Sequence, residues 1–473
     1  MASTMDKLST FLSAVGLDST QIEDVKERAG VSKQFAEHAL AALYPDAVDA
    51  PDTSAYDESV KCNWSALARR NPSAIFHPSS PEQAAKAVQI LEFFDQQFAI
   101  RGGGHSPNPG WASIEGGVLI STDRLNDLHY DESSKIASIG AGNRWGLVYS
   151  YLEKFGVLVT GGHSSPVGCV GQITGCGNSP WFHKYGWSCD NVVNFEVVTA
   201  GGKIINANKG ENADLWWALK GGSNNFGIVT RMDMLTFPVP NGVWGGMLEL
   251  EWSIENQRKV AEAYYKFQSE NIVEDPGVES IPGWGKFGSR KYLQNVLRWC
   301  TSPRIRDFAD NNPRSSMLSL TVKADLDFYY EAIDIFYNAF EAFDKTTQAA
   351  ACLNMSPLSA RTIRLSNQRG GTAPGWAEED QSLVFIDNAW LHEKDTEYIL
   401  EAGNQCIARL RKAAKARGVL MPQIWMNNSG PDDDVIASYG KENWTRLRDI
   451  SVKYDPKRTF QRLCVGGYKI ERE

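Results

Sequence analysis

The chain has 473 residues, 42% of them hydrophobic and 22% charged, with a formal net charge of −9. That length exceeds one ordinary core and implies two or three domains of a soluble globular protein. The acidic balance, with no basic stripe, argues against nucleic acid as a partner, and no run of 18 apolar residues is present to span a membrane.

Residues 1–55 read as helical and close in a polar loop from Pro45 to Ser54. This start lacks the apolar block and small-residue cleavage site of a secretory signal. The expected location is the cytoplasm, or outside the cell if a signal was removed earlier. Ala74-Ile75-Phe76 reads as a short strand stopped by Pro78. Ser80-Pro81 then opens a helix with proline in its first turn, and Ala84, Ala87, Val88, Leu91 and Phe94 follow helical spacing. Phe98-Ala99-Ile100 reads as the next strand, so the order is strand, helix, strand, glycine loop, a βαβ-like unit.

That loop is Arg101-Gly102-Gly103-Gly104-His105-Ser106. Three glycines allow the backbone to approach a bulky group and to aim several N–H donors at one place, which suits phosphate. A histidine directly after such a turn sits beside whatever the turn holds. Alone the hexapeptide also fits a tight loop, but it is the first of three such clusters. The second runs from Gly161-Gly162-His163-Ser164 through Val167-Gly168 to Gly171, Gly175 and Gly177. The third is Gly221-Gly222-Ser223-Asn224-Asn225-Phe226-Gly227-Ile228-Val229. Strand-like runs at 117–121, 136–140 and 192–199 separate them, with helices at 145–156 and 214–220 and a hairpin turn at Gly201-Gly202.

After Pro238 and Pro240 the texture changes. Helices at 256–270 and 328–343 alternate with strands at 318–322 and 383–390, the pattern of an α+β domain. In 383–392, Asp387 and Ala389 share one face while Asn388, Trp390 and His392 share the other. The tail, 421–473, returns to short apolar motifs around Tyr439-Gly440 and Tyr454-Asp455-Pro456. The eight cysteines form no CxxC pair and fit no zinc site, so they read as mostly reduced small core residues and no metal is expected.

The three glycine clusters in this order, with Ser438-Tyr439-Gly440, Lys453-Tyr454-Asp455-Pro456 and Gly466-Gly467 in the tail, closely resemble the FAD-linked oxidases of the p-cresol methylhydroxylase and vanillyl-alcohol oxidase superfamily. The nearer branch looks like the berberine-bridge-enzyme-like oxidases common in fungal secondary metabolism. The resemblance implies an α+β fold: a helical extension at 1–55, an FAD-binding domain at 56–240 completed by 421–473, and an inserted α+β substrate domain at 241–420 whose antiparallel sheet covers the flavin. It implies FAD as cofactor, a small-molecule substrate and molecular oxygen as partners, and hydride transfer from an activated C–H to flavin N5 with release of H2O2. A flavoprotein that catalyses a cyclisation or isomerisation is the alternative.

Residue by residue, the resemblance places Arg101, Gly102, Gly103, Gly104, Ser106 and Asn108 at the cofactor and gives His105 a covalent bond to the flavin 8α-methyl. Gly168, Gly171, Gly175, Gly177, Asn225, Gly227, Ile228 and Val229 complete the cofactor set. Ser164 stands where many relatives carry a second linking cysteine, so a single covalent link is expected. Val167 stands at a position that admits oxygen in relatives. Asn428 stands where many relatives carry a tyrosine base, and an amide cannot take that role. The base is then sought at His163, since an imidazole accepts protons near neutrality, with Asp387, His392 or a substrate-domain tyrosine as alternatives.

Overall fold

The computed structural model describes residues 2–239, 247–251, 253–272, 281–287, 290–296, 313–340 and 349–471. Pro240, the 240/241 domain boundary, the 341–343 end of the expected helix and Cys300 lie outside the described residues. The seven described cysteines are all free thiols. Among the described residues no helix is long and apolar enough to cross a membrane.

The first sheet holds β1 (Val48–Asp49), β2 (Ala74–Phe76), β3 (Phe98–Arg101) and β4 (Val118–Ser121) in the order β1-β2-β4-β3. β2 and β3 each run parallel to β4, and helix Pro81–Phe93 makes the crossover between β2 and β3. Ser80 caps that helix by accepting from the Gln83 amide, and Ala84, Ala87, Val88 and Leu91 are fully buried. Phe94 falls one residue past the helix end. The tail joins this sheet: the Phe98 amide donates to Leu463 O (2.9 Å) and the Val465 amide to Phe98 O (2.8 Å). Helices Ala2–Val15, Ser19–Ser32 and Phe35–Leu43 bury Leu12, Val25 and Leu40 in the same core, and Phe11 stacks on Phe93 at 3.8 Å between centroids.

A second, antiparallel sheet follows. β5 (Leu128–Asp131), β6 (Ile136–Gly140), β8 (Val192–Thr199), β9 (Lys203–Asn208) and β10 (Ile228–Leu235) lie in the order β5-β6-β10-β8-β9, while β7 (Val157–Leu158) pairs separately with β11 (Phe237–Pro238). The β8–β9 connection places Gly201 and Gly202 at φ 70° and 72°, a conformation that glycine adopts without strain.

The third sheet contains β12 (Met247–Glu251), β13 (Ile281–Phe287), β14 (Arg290–Val296), β15 (Arg314–Lys323), β16 (Ala349–Leu358) and β17 (Gln381–Trp390), all antiparallel, in the order β12-β14-β13-β16-β17-β15. Strand periodicity gives it two faces. Leu318, Leu320, Leu353, Val384 and Ile386 pack with Phe328, Ile333 and Leu410 of helices Leu326–Ala339 and Thr396–Ala416. Met317, Asn354, Phe385 and Asp387 occupy the opposite face, with Met317 paired to Asp387 and Asn354 to Phe385. The tail is more regular than its short motifs suggest. Helix Lys441–Tyr454 buries Leu447, Ile450 and Ser451, a helical spacing that was present in the sequence.

Candidate active site

The three glycine clusters meet on one wall of a single cleft. A Cβ built on Gly103 would lie 2.3 Å from the Gly168 amide nitrogen, and one on Gly168 would lie 2.3 Å from the Gly103 nitrogen. The first two loops therefore touch backbone to backbone, which no other residue type permits. Gly161 is pressed against the Trp145 ring, where a Cβ would fall 2.3 Å from its edge. The 164–168 loop is strapped down from outside: the Trp145 amide donates to Val167 O (3.1 Å), the Gly146 amide to Ser165 O (3.0 Å), and the Arg144 guanidinium to Pro166 O.

His105 leaves this floor half-buried, its ring stacked on Trp64 at 4.7 Å with 6° between planes. The Trp64 amide also donates to Gly104 O (2.9 Å). Trp64 thus fixes both the glycine turn and the plane of the imidazole. Sequence reasoning missed it, because a tryptophan 41 positions upstream carries no local signal.

The third cluster is tied to the tail. Asn225 donates to Gly222 O (2.7 Å) and Tyr468 O (2.8 Å), and the Tyr439 hydroxyl donates to Gly221 O (3.0 Å). Cys176, at the middle position of the second cluster's glycine turn, adopts φ 78° and points its thiol at Lys220 O (3.7 Å).

The cleft encloses about 1840 Å³ of atom-free space, open mouth included. Its floor carries Gly102, Gly103, Gly104, His105, Ser106, His163, Ser164, Val167, Gly168 and Gly171, with Gly227, Ile228 and Val229 from the third cluster. Met317, Asn354 and Phe385 form its roof, and Trp425, Met426, Asn427 and Asn428 close one side. The Phe385 ring meets Trp425 edge-on at 5.9 Å. Floor and roof are pinned together by Asn178 Nδ2 to Ser356 Oγ (2.8 Å) and by buried His183, whose Nδ1 contacts Ser359 Oγ (3.2 Å) and Thr362 Oγ1 (3.1 Å). Desolvation lowers the His183 pKa to about 3, so the ring is neutral. Beside it, buried Asp190 faces Lys220 at 3.7 Å; burial pushes the Asp190 carboxyl up and Lys220 opposes that.

Several expected site residues lie elsewhere. Arg101 is a correction: its guanidinium turns inward to Ser59 O (2.7 Å), Asn63 Oδ1 (3.2 Å) and Ser121 Oγ, since a buried cation needs acceptors. Asn108 is spent on Ser429 O (3.1 Å) and orders the loop from behind. Gly175 and Gly177 also sit behind the surface, making room for the Asn427 and Gln172 amides. Asn225 acts through its neighbours. His392 is exposed, at the end of β17 and outside the cleft. Asp387 stands on the face that covers the cleft, one layer back, where Oδ2 accepts from Asn354 Nδ2 (3.0 Å) while the Cys352 thiol donates to Asn354 Oδ1 (3.4 Å). His163 and Val167 line the cleft itself.

The residues present fit FAD. The amides of Gly103 and Gly104 donate to no backbone carbonyl among the described residues, and the cradle they form would be filled by any Cβ. Such converging amides receive a phosphate or ribityl oxygen.

Residues 72–208 match the family model described as "FAD binding domain". The chain is 32% identical to the FAD-dependent monooxygenase prx3 of Penicillium roqueforti, covering 91% of this chain and 92% of the relative. It is 30% identical to the FAD-dependent monooxygenase tpcD of Cochliobolus heterostrophus, over 84% and 85% of the two. With the bifunctional solanapyrone synthase of Alternaria solani it shares 29% identity over 92% and 88%. Among solved structures, 6-hydroxy-D-nicotine oxidase from Arthrobacter nicotinovorans superposes with a TM-score of 0.74 at 20% identity, covering 90% of this chain and 98% of that one. A variant of berberine bridge enzyme superposes with a TM-score of 0.72 at 16% identity, covering 90% and 96%. Glycine-lined floor, antiparallel roof, and relatives matched over most of their length converge on one conclusion: the chain is an FAD-dependent oxidoreductase with the fold of these oxidases, and it belongs to the family of the fungal FAD-dependent monooxygenases.

Proposed function

We propose that the chain is an oxidase acting on an activated C–H of a small organic substrate of secondary metabolism. The observation that carries this reading is the facing of His105 and His163 on the floor against Met317, Asn354 and Phe385 on the roof, across one cleft. FAD, when bound, would supply the two-electron acceptor for hydride removal, with O2 as the final acceptor and H2O2 as its product.

The rest falls to this chain's residues. His105, its ring held flat against Trp64, offers a nitrogen for a single covalent link to the cofactor. Ser164 lines the cleft with a hydroxyl and so provides no thioether there. Phe385, Met317 and Trp425 exclude water above the floor and orient an apolar substrate. His163 accepts the proton from the substrate O–H or N–H, a contribution typically worth ~10²–10⁴ in rate. Asp387, held by Asn354, is the next group able to take it. Val167, small and at the cleft surface, leaves room for oxygen.

The test uses the purified holoenzyme under anaerobic conditions with a panel of benzylic and allylic alcohols. The expected result is loss of flavin absorbance with at least one member, about one H2O2 per reduced flavin on admitting air, and yellow colour retained in the acid-precipitated pellet. Product formation with no flavin reduction and no peroxide would overturn the reading. That outcome would favour cyclisation, which the likeness to a synthase named as bifunctional keeps as a second reading.

A further inference from the structure

The cleft is unusual in its charge. Among the described residues that line it there is no Asp, Glu, Lys or Arg. FAD carries a doubly anionic diphosphate, and neutral donors offset the cost of taking such an anion out of water less well than an opposing charge does. The cations nearest the first loop are engaged elsewhere. Arg101 is turned onto Ser59, Asn63 and Ser121, and Arg144 straps Pro166.

One ammonium is differently placed. Lys469 Nζ donates to Phe460 O (2.9 Å) and reaches Asn224 Oδ1 (3.5 Å), and both partners are neutral. Desolvation, the largest influence, pulls its pKa below the ordinary lysine value, while the hydrogen-bonded Cys464 thiol and the Asp455 carboxylate favour the charged form. Asn224 lines the cleft between Ser223 and Gly227, beside Gly467. The tail backbone curls tightly round this amide. Gly467 adopts φ 77°, and a Cβ there would fall 2.5 Å from Asn224 Oδ1. Asn224 Nδ2 in turn donates to Gly466 O (3.3 Å). The ammonium therefore sits desolvated, one amide behind the cleft surface.

We propose that Lys469 supplies the positive charge for the phosphates of FAD, acting from behind Asn224 and not by lining the site. The C-terminal segment would then do more than close the first sheet; it would carry the cofactor's counter-charge. Coulomb attraction falls only as the inverse of distance, so a charge one amide behind the surface still acts on an anion held in the cleft.

The experiment uses the full chain produced in a riboflavin-starved host, titrated calorimetrically with FAD, ADP, adenosine and riboflavin. In the parent, ADP is expected to bind at least about tenfold tighter than adenosine, with the preference shrinking in high salt. Lys469→Met is expected to weaken ADP and FAD about tenfold or more and to leave adenosine and riboflavin within about twofold. Lys469→Arg, which keeps the charge, should retain most of the ADP affinity. Unchanged ADP binding in Lys469→Met would overturn the proposal, as would equal losses for ADP and adenosine, the mark of a packing role only. If Lys469→Met fails to fold, the parent decides: no salt-sensitive preference for ADP over adenosine overturns the inference. A parent that responds to no ligand, FAD included, overturns it together with the cofactor assignment.

Discussion

On the floor of the cleft, Gly103 and Gly168 bring two backbones into contact, whereas on the roof Met317, Asn354 and Phe385 project side chains into the same space. The floor works by what is missing. Its tolerances are set by backbone atoms that cannot rotate away, so a single methyl group is a collision. The roof works by what is present. Its strands hold only a register, and the residue at each inward position is free to match a substrate.

The sharpest way to break the contrast is Gly168→Ala. Gly168 has φ −70° and ψ 139°, which alanine adopts easily, so the whole effect is steric. Overpacking typically costs ~1–3 kcal/mol, and here no rotamer change relieves it. The expected outcome is at least about a tenfold fall in FAD retained per chain, read from the ratio of flavin to protein absorbance. Normal flavin content would show that the two loops separate easily.

The junction between the halves should show itself in pH. His183 is neutral in the fold, with its pKa depressed to about 3, whereas in the unfolded chain it titrates near ~6.5. The unfolded state therefore binds the extra proton, and stability is complete above pH ~6.5 and is lost as pH falls towards ~3, by at most about 1.4 kcal/mol per pH unit. Denaturant unfolding of His183→Asn between pH 7 and 4 should give a curve with a lower start and a shallower slope than the parent. Parallel curves would mean that the His183 site opens to water before the rest unfolds.

The smallest effect is expected on the roof. Met317→Leu conserves volume and should cost less than about 1.5 kcal/mol, with flavin content unchanged and only the relative reduction rates among substrates altered. A loss of flavin comparable to that of Gly168→Ala would erase the distinction between floor and roof.

The same contrast governs what could be read from the chain. The βαβ unit, the hairpin at Gly201-Gly202 and the strands expected at 318–322 and 383–390, which extend to 314–323 and 381–390, were legible because short-range periodicity and turn chemistry specify them. The floor was legible for the same reason, since glycine is required locally wherever backbones touch. Arg101 misled because a motif residue next to a glycine turn can point either way, and burial turned it towards Ser59 and Asn63.

By itself the sequence determined the FAD-binding character, the order of the three glycine clusters, the placing of His105 after the first of them, and the absence of a cysteine at Ser164. Tertiary structure alone decided that Trp64 stacks on His105, that Asp387 rather than His392 stands on the cleft side, and that Lys469 lies behind Asn224. The reason is separation along the chain. Contacts between residues 41 or 245 positions apart leave no periodic trace, and only closure of the two sheets and the tail around one cleft brings them together.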